Sequence, residues 1–205
     1  MTRSLRLRDL ELIPVAGSRM GVVRQELGIT AFGANSFAAD AGEQIFEPHD
    51  ELSENSGSHE ELYVVVHGSA TFSVGDERID APAGTLVLAR PGDWRGATAE
   101  QDGTAVLVLG GPPGAAGPVS AWERIFVATR YEDDPERAYA ELSLALPDWP
   151  EQADVHYNLG CYAARLGRRE SALEHMRVAL AASEENRREA RSDPDLDSIR
   201  AELEL

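Results

Sequence analysis

The chain contains no lysine: all 19 basic residues among its 205 are arginine. Without a side-chain amine there is no Schiff base, which removes lysine-dependent pyridoxal phosphate and aldolase chemistry. A phosphate-binding loop built on lysine is excluded with it. A single cysteine leaves no intrachain disulfide. No run approaches the roughly 18 apolar residues of a spanning helix. The opening "MTRSLRLRDLELIPV" lacks the continuous apolar core of a secretion signal. Positive charge is scarce throughout. Residues 1–130 carry 18 acidic and 10 basic side chains, and residues 131–205 carry 18 and 9. Neither half offers the basic footprint that nucleic acid or an anionic membrane requires. A cytoplasmic protein is expected, with neither of those partners.

Apolar residues make up 42% of the chain, enough for a folded core. The periodicity changes near "GGPPGAAGP", residues 110–118, whose Gly and Pro break helices and strands alike. Before it, "TAFGANSFAA", "LYVVV", "SATFSV", "GTLVLA" and "TAVLVLG" read as short strands, and "VGDERI" supplies a Gly-Asp turn. Such strands with closely spaced turns predict a barrel or sandwich. "SRMGVVRQELG" reads as a short helix ending at Gly28.

After residue 130 the period is helical. "DDPERAYAELSLAL" places acids and a proline in a first turn, with apolar residues at helical spacing behind them. "ADVHYNLGCYAARLG" and "RRESALEHMRVALAASEENRREA" follow, separated by Gly167. "DPDLDSIRAELEL" reads as a last short helix with Asp193 as N-cap and Pro194 in its first position. Two domains are expected, about 1–125 and 126–205.

"YNLGCYAARLGRRESALEHMRVAL" resembles a tetratricopeptide repeat. The small residues Gly160, Ala172 and Ala179 stand where two antiparallel helices approach closely, and Leu159, Leu166, Leu173, Met176 and Leu180 would fill their seam. The match departs from the family at His156, where an aromatic is usual, and at Ala163, where tyrosine is usual and Tyr162 comes one step early. The resemblance implies a protein-interaction tail. Helices that pack on the barrel or mediate a homodimer are the plainer reading. Cys161 falls inside this pattern as a small core residue.

Residues 42–99 resemble the cupin family, whose three histidines and one glutamate converge on Mn, Fe, Ni or Zn inside a small β-barrel of the double-stranded β-helix or jelly-roll type. "EELYVVV" looks like its usual strand, and Glu61, six residues, then Gly68 keeps the spacing of the first motif. Gly84, five residues, then Arg90-Pro91-Gly92 keeps the turn of the second. The ligands themselves are displaced. Arg95 stands at the second motif's histidine and Ala99 at its asparagine. Counting back from Glu61 puts the paired histidines at Asn55 and Gly57, or at Glu54 and Ser56. Counting forward from Gly42 points to "HDE", with His49 and Glu51 on one face at period two. His59 shares the face of Glu61 if the strand has begun there, and Tyr63 follows on that face.

The candidate site is therefore His49, Glu51, His59, Glu61, Tyr63 and Arg95. Two imidazoles and two carboxylates suit a borderline divalent metal, which would make His49, Glu51, His59 and Glu61 its ligands. A guanidinium in a ligand's place favours an anion instead. The leading expectation is a non-catalytic barrel that holds a small polar or anionic ligand without a cofactor. The alternatives are a metal-dependent oxygenase or isomerase and a structural homodimer.

Overall fold

A computed structural model describes residues 4–15, 17–53 and 57–205. Of the strict placement of the paired histidines, Glu54, Asn55 and Ser56 lie outside them and Gly57 lies within. The described residues fall into two compact units, Met1–Ala116 and Gly117–Leu205. The division lies inside the Gly/Pro-rich segment.

The first unit is a sandwich of two antiparallel sheets. Its strands are β1 (Ile13–Val15), β2 (Ser18–Gly21), β3 (Gly33–Ala39), β4 (Gln44–His49), β5 (Glu60–His67), β6 (Ser69–Val74), β7 (Glu77–Pro82), β8 (Leu86–Ala89), β9 (Arg95–Ala99) and β10 (Thr104–Gly111). One sheet runs β1-β2-β3-β10-β5-β8 and the other β4-β9-β6-β7. Alternation selects the inner faces: Tyr63 and Val65 of β5, Ala70 and Phe72 of β6, and Val106 and Val108 of β10 are buried in one cluster with Ile45 and Phe46 of β4. The predicted strands all form. β1, β2 and β9 were not apparent from alternation, because they are short or carry small residues. The segment read as a helix begins instead as β2. Only α1 (Val23–Leu27) is helical, and it ends at Gly28 with φ +67. Leu10 and Val23 pack with Ala34 against the outer side of β3 and β10.

Gly68 joins β5 to β6 at φ +71. A Cβ there would lie 2.9 Å from Thr104 Cα, so both the turn and the close approach demand glycine.

The second unit is helical, with α2 (Ala121–Thr129), α3 (Pro135–Ser143), α4 (Ala153–Arg165), α5 (Arg169–Ala182) and α6 (Glu184–Ala190), followed by two 3-10 turns, Pro194–Leu196 and Arg200–Glu202. Sequence periodicity missed α2, yet its start is written in "SAWE": Ser120 accepts from Glu123 N–H while Glu123 reaches back to Ser120. The stretch 168–190, read as one helical run, breaks at Ser183, whose hydroxyl caps α6 by accepting from Asn186 N–H. Asp193 does cap Pro194, but over a 3-10 turn. Leu159, Met176, Ala172 and Ala179 are fully buried. A Cβ on Gly160 would meet Met176 Cε at 2.7 Å, which explains the small residue on α4 where α5 crosses.

No helix among the described residues is long and apolar enough to cross a membrane.

Candidate functional site

The two sheets bring His49, Glu61, Tyr63 and Arg95 together inside the sandwich. His49 ends β4 and stands opposite Arg95, the first residue of β9. The register between these strands slips twice, at Gln44/Phe46 and at Phe46/His49. Such irregularity re-aims side chains near a strand's end. Glu61 and Tyr63 sit two apart on β5, on one face. Glu51 follows β4 in a left-handed conformation, φ +63, unusual for a residue with a Cβ.

The hydrogen bonds converge on Glu61. Tyr63 Oη donates to its Oε2 at 2.5 Å. His49 Nε2 lies 3.3 Å from the same oxygen and 3.5 Å from Glu51 Oε1. His49 Nδ1 is 2.7 Å from the Glu47 carbonyl, which only accepts. Nδ1 therefore carries a proton, and Nε2 donates to the carboxylates when the ring is an imidazolium. That arrangement raises the His49 pKa: the Glu61 hydrogen bond is the main cause, opposed by burial. For Glu61, burial acts upward and is the largest influence. The hydrogen bonds from His49 and Tyr63 and the nearby positive charges together outweigh it and hold the carboxyl below its ordinary value. Burial, then Glu61, pushes the Tyr63 phenol far up, so it stays a neutral donor.

Arg95 is the largest fully buried side chain among the described residues, at 0% exposure. Its Nη2 donates to the Arg90 carbonyl at 3.1 Å. Its Nε is 3.7 Å from Glu61 Oε2, an ion pair too long for a hydrogen bond. Nε and Nη1 have no hydrogen-bond partner among the described residues. Two charged donors are thus buried without a hydrogen-bond partner among the described residues, at a cost of about 1–3 kcal/mol each.

His59 does not join this group through its ring. Its backbone N–H donates to Glu51 Oε2 at 3.3 Å, while the clustered ligand atoms are those of His49, Glu51 and Glu61. Phe46, which sequence reading passed over, is the site's apolar wall. Its ring stacks on Tyr63 at 4.9 Å and meets the His49 ring edge-on at 5.8 Å. It also lines, with His49, a cavity of about 330 Å³. Strand alternation alone would put Phe46 and His49, three residues apart, on opposite faces, and the register slips of β4 bring them together. Trp94 and Trp122 are largely exposed.

One imidazole and two carboxylates, all within 4.8 Å of one another, fit a divalent ion in number, type and spacing. The Arg95 charge beside Glu61 sets the cost of adding another cation there.

The two-sheet jelly roll with a polar cluster on its inner strands agrees with the cupin resemblance of residues 42–99. The sequence matches the AraC-like ligand binding domain over residues 39–182, more than two thirds of the chain, and the protein belongs to that family. Similar solved structures include KdgF from Halomonas sp. (18% identity, TM-score 0.46, 55% of this chain and 94% of that one). An RmlC-like cupin from Shewanella frigidimarina is 17% identical (TM-score 0.43, 54% and 91%). A cupin-superfamily sugar phosphate isomerase from Silicibacter pomeroyi is 16% identical (TM-score 0.44, 53% and 74%). No curated protein matches the chain.

Proposed function

We propose that this protein is a non-catalytic binding or regulatory cupin whose barrel holds a small anionic or strongly polar ligand beside Arg95, with no metal. The observation that carries this reading is the buried guanidinium with two unpartnered donors in the place of a metal-ligand histidine. An unpaired buried donor costs free energy until an acceptor reaches it, and a carboxylate or phosphate oxygen is the acceptor a guanidinium matches best. Membership of a ligand-binding family agrees with it. His49, Glu61 and Tyr63 would orient the ligand's hydroxyl or amide groups, and Phe46 would cover its apolar side. A thermal-shift and calorimetric screen of small carboxylates, sugar acids and phosphates tests the assignment. A hit should lose its affinity in Arg95→Ala. A ligand that binds both forms equally places the site elsewhere.

A second reading is favoured by the spacing of His49, Glu51 and Glu61. These three would hold a divalent metal, which would supply Lewis-acid polarisation of a bound oxygen for isomerase or oxygenase chemistry. Elemental mass spectrometry of untagged protein, purified without chelator, separates the two. One metal per chain, lost in Glu61→Ala, supports the second. A metal-free protein even after incubation with each ion supports the first.

For the helical unit we infer a tetratricopeptide-like hairpin in α4 and α5 that serves a protein partner or a second copy of the chain. The close crossing at Gly160 supports it. The bare apolar residues Leu86 and Leu88 on the edge strand β8 suit a homodimer contact in the barrel. Light scattering of the purified chain gives the oligomeric state.

A further inference from the structure

Two histidines face each other inside the helical unit, far in sequence from the barrel cluster. His156 of α4 is buried at 8% exposure. His175 of α5 is half-buried. Their Nδ1 atoms lie 3.0 Å apart. His156 Nε2 is 2.9 Å from the Pro150 carbonyl. His175 Nε2 is 3.0 Å from Tyr139 Oη, which lies 3.2 Å from Ser171 Oγ.

With both rings neutral, one fixed acceptor sets every proton in this chain. The Pro150 carbonyl only accepts, so His156 carries its proton on Nε2 and leaves Nδ1 bare. His175 must then donate from Nδ1, which leaves its Nε2 bare to accept from Tyr139 Oη. The Tyr139 oxygen in turn accepts from Ser171. In this neutral arrangement every polar atom of the chain has a partner.

A first added proton is accommodated. It enters at His175 Nε2, which now donates to the Tyr139 oxygen, and the Tyr139 hydroxyl turns to donate to Ser171. The ring-to-ring hydrogen bond survives, with the charge shared along it. A second proton is not accommodated. Both Nδ1 atoms would then carry hydrogen and face each other as donors, with two imidazolium rings at a centroid separation of 5.1 Å.

The charged groups around the pair do not neutralise a second charge. Glu174 of α5 acts on His175 in the favourable sense, but burial and His156 outweigh it and hold that ring below its ordinary value. Arg168 stands over the Tyr139 ring at 5.5 Å and is bound to Glu136 of α3.

We propose that the His156–His175 pair is an acid switch in the helical unit, taking up one proton with all its hydrogen bonds kept and opening the seam of α3, α4 and α5 on the second. In the unfolded chain both histidines take protons near pH 6.5. The folded unit resists the second, so the pair's contribution to stability is present above that pH and is lost as pH falls below it.

The test is a pH titration of the full chain, read on imidazole nitrogens by ¹H–¹⁵N correlation. At pH 8 the expected tautomers are Nε2–H for His156 and Nδ1–H for His175. On acidification the pair should show two midpoints separated by more than about one pH unit. Amide protection in α4 and α5 should fall only across the lower one. Nε2–H on His175, or two coincident midpoints near 6.5, overturns the proposal. The double variant His156→Gln/His175→Gln should flatten the pH dependence of the helical unit's thermal midpoint between pH 7 and 5. An unchanged dependence also overturns it. Should that variant not fold, the titration of the native chain decides alone.

Discussion

Replacing Arg95 by methionine separates a ligand-binding arginine from a structural one. At 3.7 Å from Glu61 and an effective dielectric of about 20, the ion pair is worth roughly 4 kcal/mol of attraction. The hydrogen bond to the Arg90 carbonyl adds about 1.5–3 kcal/mol, as charged hydrogen bonds do. Against these stand several kcal/mol for burying the guanidinium and about 1–3 kcal/mol for each of the two unpartnered donors. Glu61 keeps its hydrogen bonds to Tyr63 and His49 when the arginine goes. The terms nearly cancel, and methionine fills most of the vacated volume. Arg95→Met should therefore change the stability of the ligand-free barrel by no more than about 2 kcal/mol, in either direction. The assay is urea-dependent hydrogen exchange on peptides from β5, β6 and β10, which reports on the barrel alone. The same variant should show no thermal shift with any ligand that stabilises the native protein. A loss above about 4 kcal/mol would refute the reasoning, because it is what breaking a fully satisfied buried ion pair costs.

The barrel should be most stable in mildly acidic solution. The raised His49 pKa contributes stability that is present below pH 6.5 and lost as pH rises through the folded value, while the lowered Glu61 pKa contributes stability that is lost as pH falls below about 4.5. Barrel hydrogen exchange from pH 4 to 9 checks this, with His49→Gln flattening the alkaline limb and Glu61→Gln the acid one. Gly68→Ala should cost about 2–4 kcal/mol, from the left-handed backbone and the clash with Thr104 together. Urea denaturation measures it, and a neutral result would mean that the β5–β6 turn relaxes freely. Leu159→Ala removes a fully buried side chain of α4 and should cost about 2–5 kcal/mol in the helical unit. Exchange in α4 and α5 reads it, and the barrel peptides should stay unchanged.

Much of the architecture was legible because it follows local rules. Alternation in "LYVVV" and "SATFSV" predicts half-buried strands, and Tyr63, Val65, Ala70 and Phe72 are the inward residues. Gly160 announces a close crossing, because a Cβ there would press on the Met176 side chain of α5. Elements escaped where the local signal is weak. β9, "RGATA", has small residues that alternate nothing, and it is a strand because β4 and β6 pair with both its edges. The helical run after Gly167 hides a break, because Ser183 is a tolerable helix residue that here caps the next helix instead.

The candidate site divides along the same line. By itself the sequence pointed to a cupin-like barrel, and the resemblance placed Arg95 at the second motif's histidine position and Glu61 at the first motif's glutamate. It could not say whether "HDE" or the residues before Glu61 supply the remaining groups, because loop length does not determine where a side chain points. Tertiary structure decided that His49 lies on Glu61, that Glu51 joins them while His59 contributes only its backbone, and that Phe46 walls the cluster. It alone decided that Arg95 is fully buried with two donors lacking a hydrogen-bond partner among the described residues, and that His156 and His175 meet at all. Burial and hydrogen-bond satisfaction belong to groups distant in sequence, brought together only when strands and helices pack.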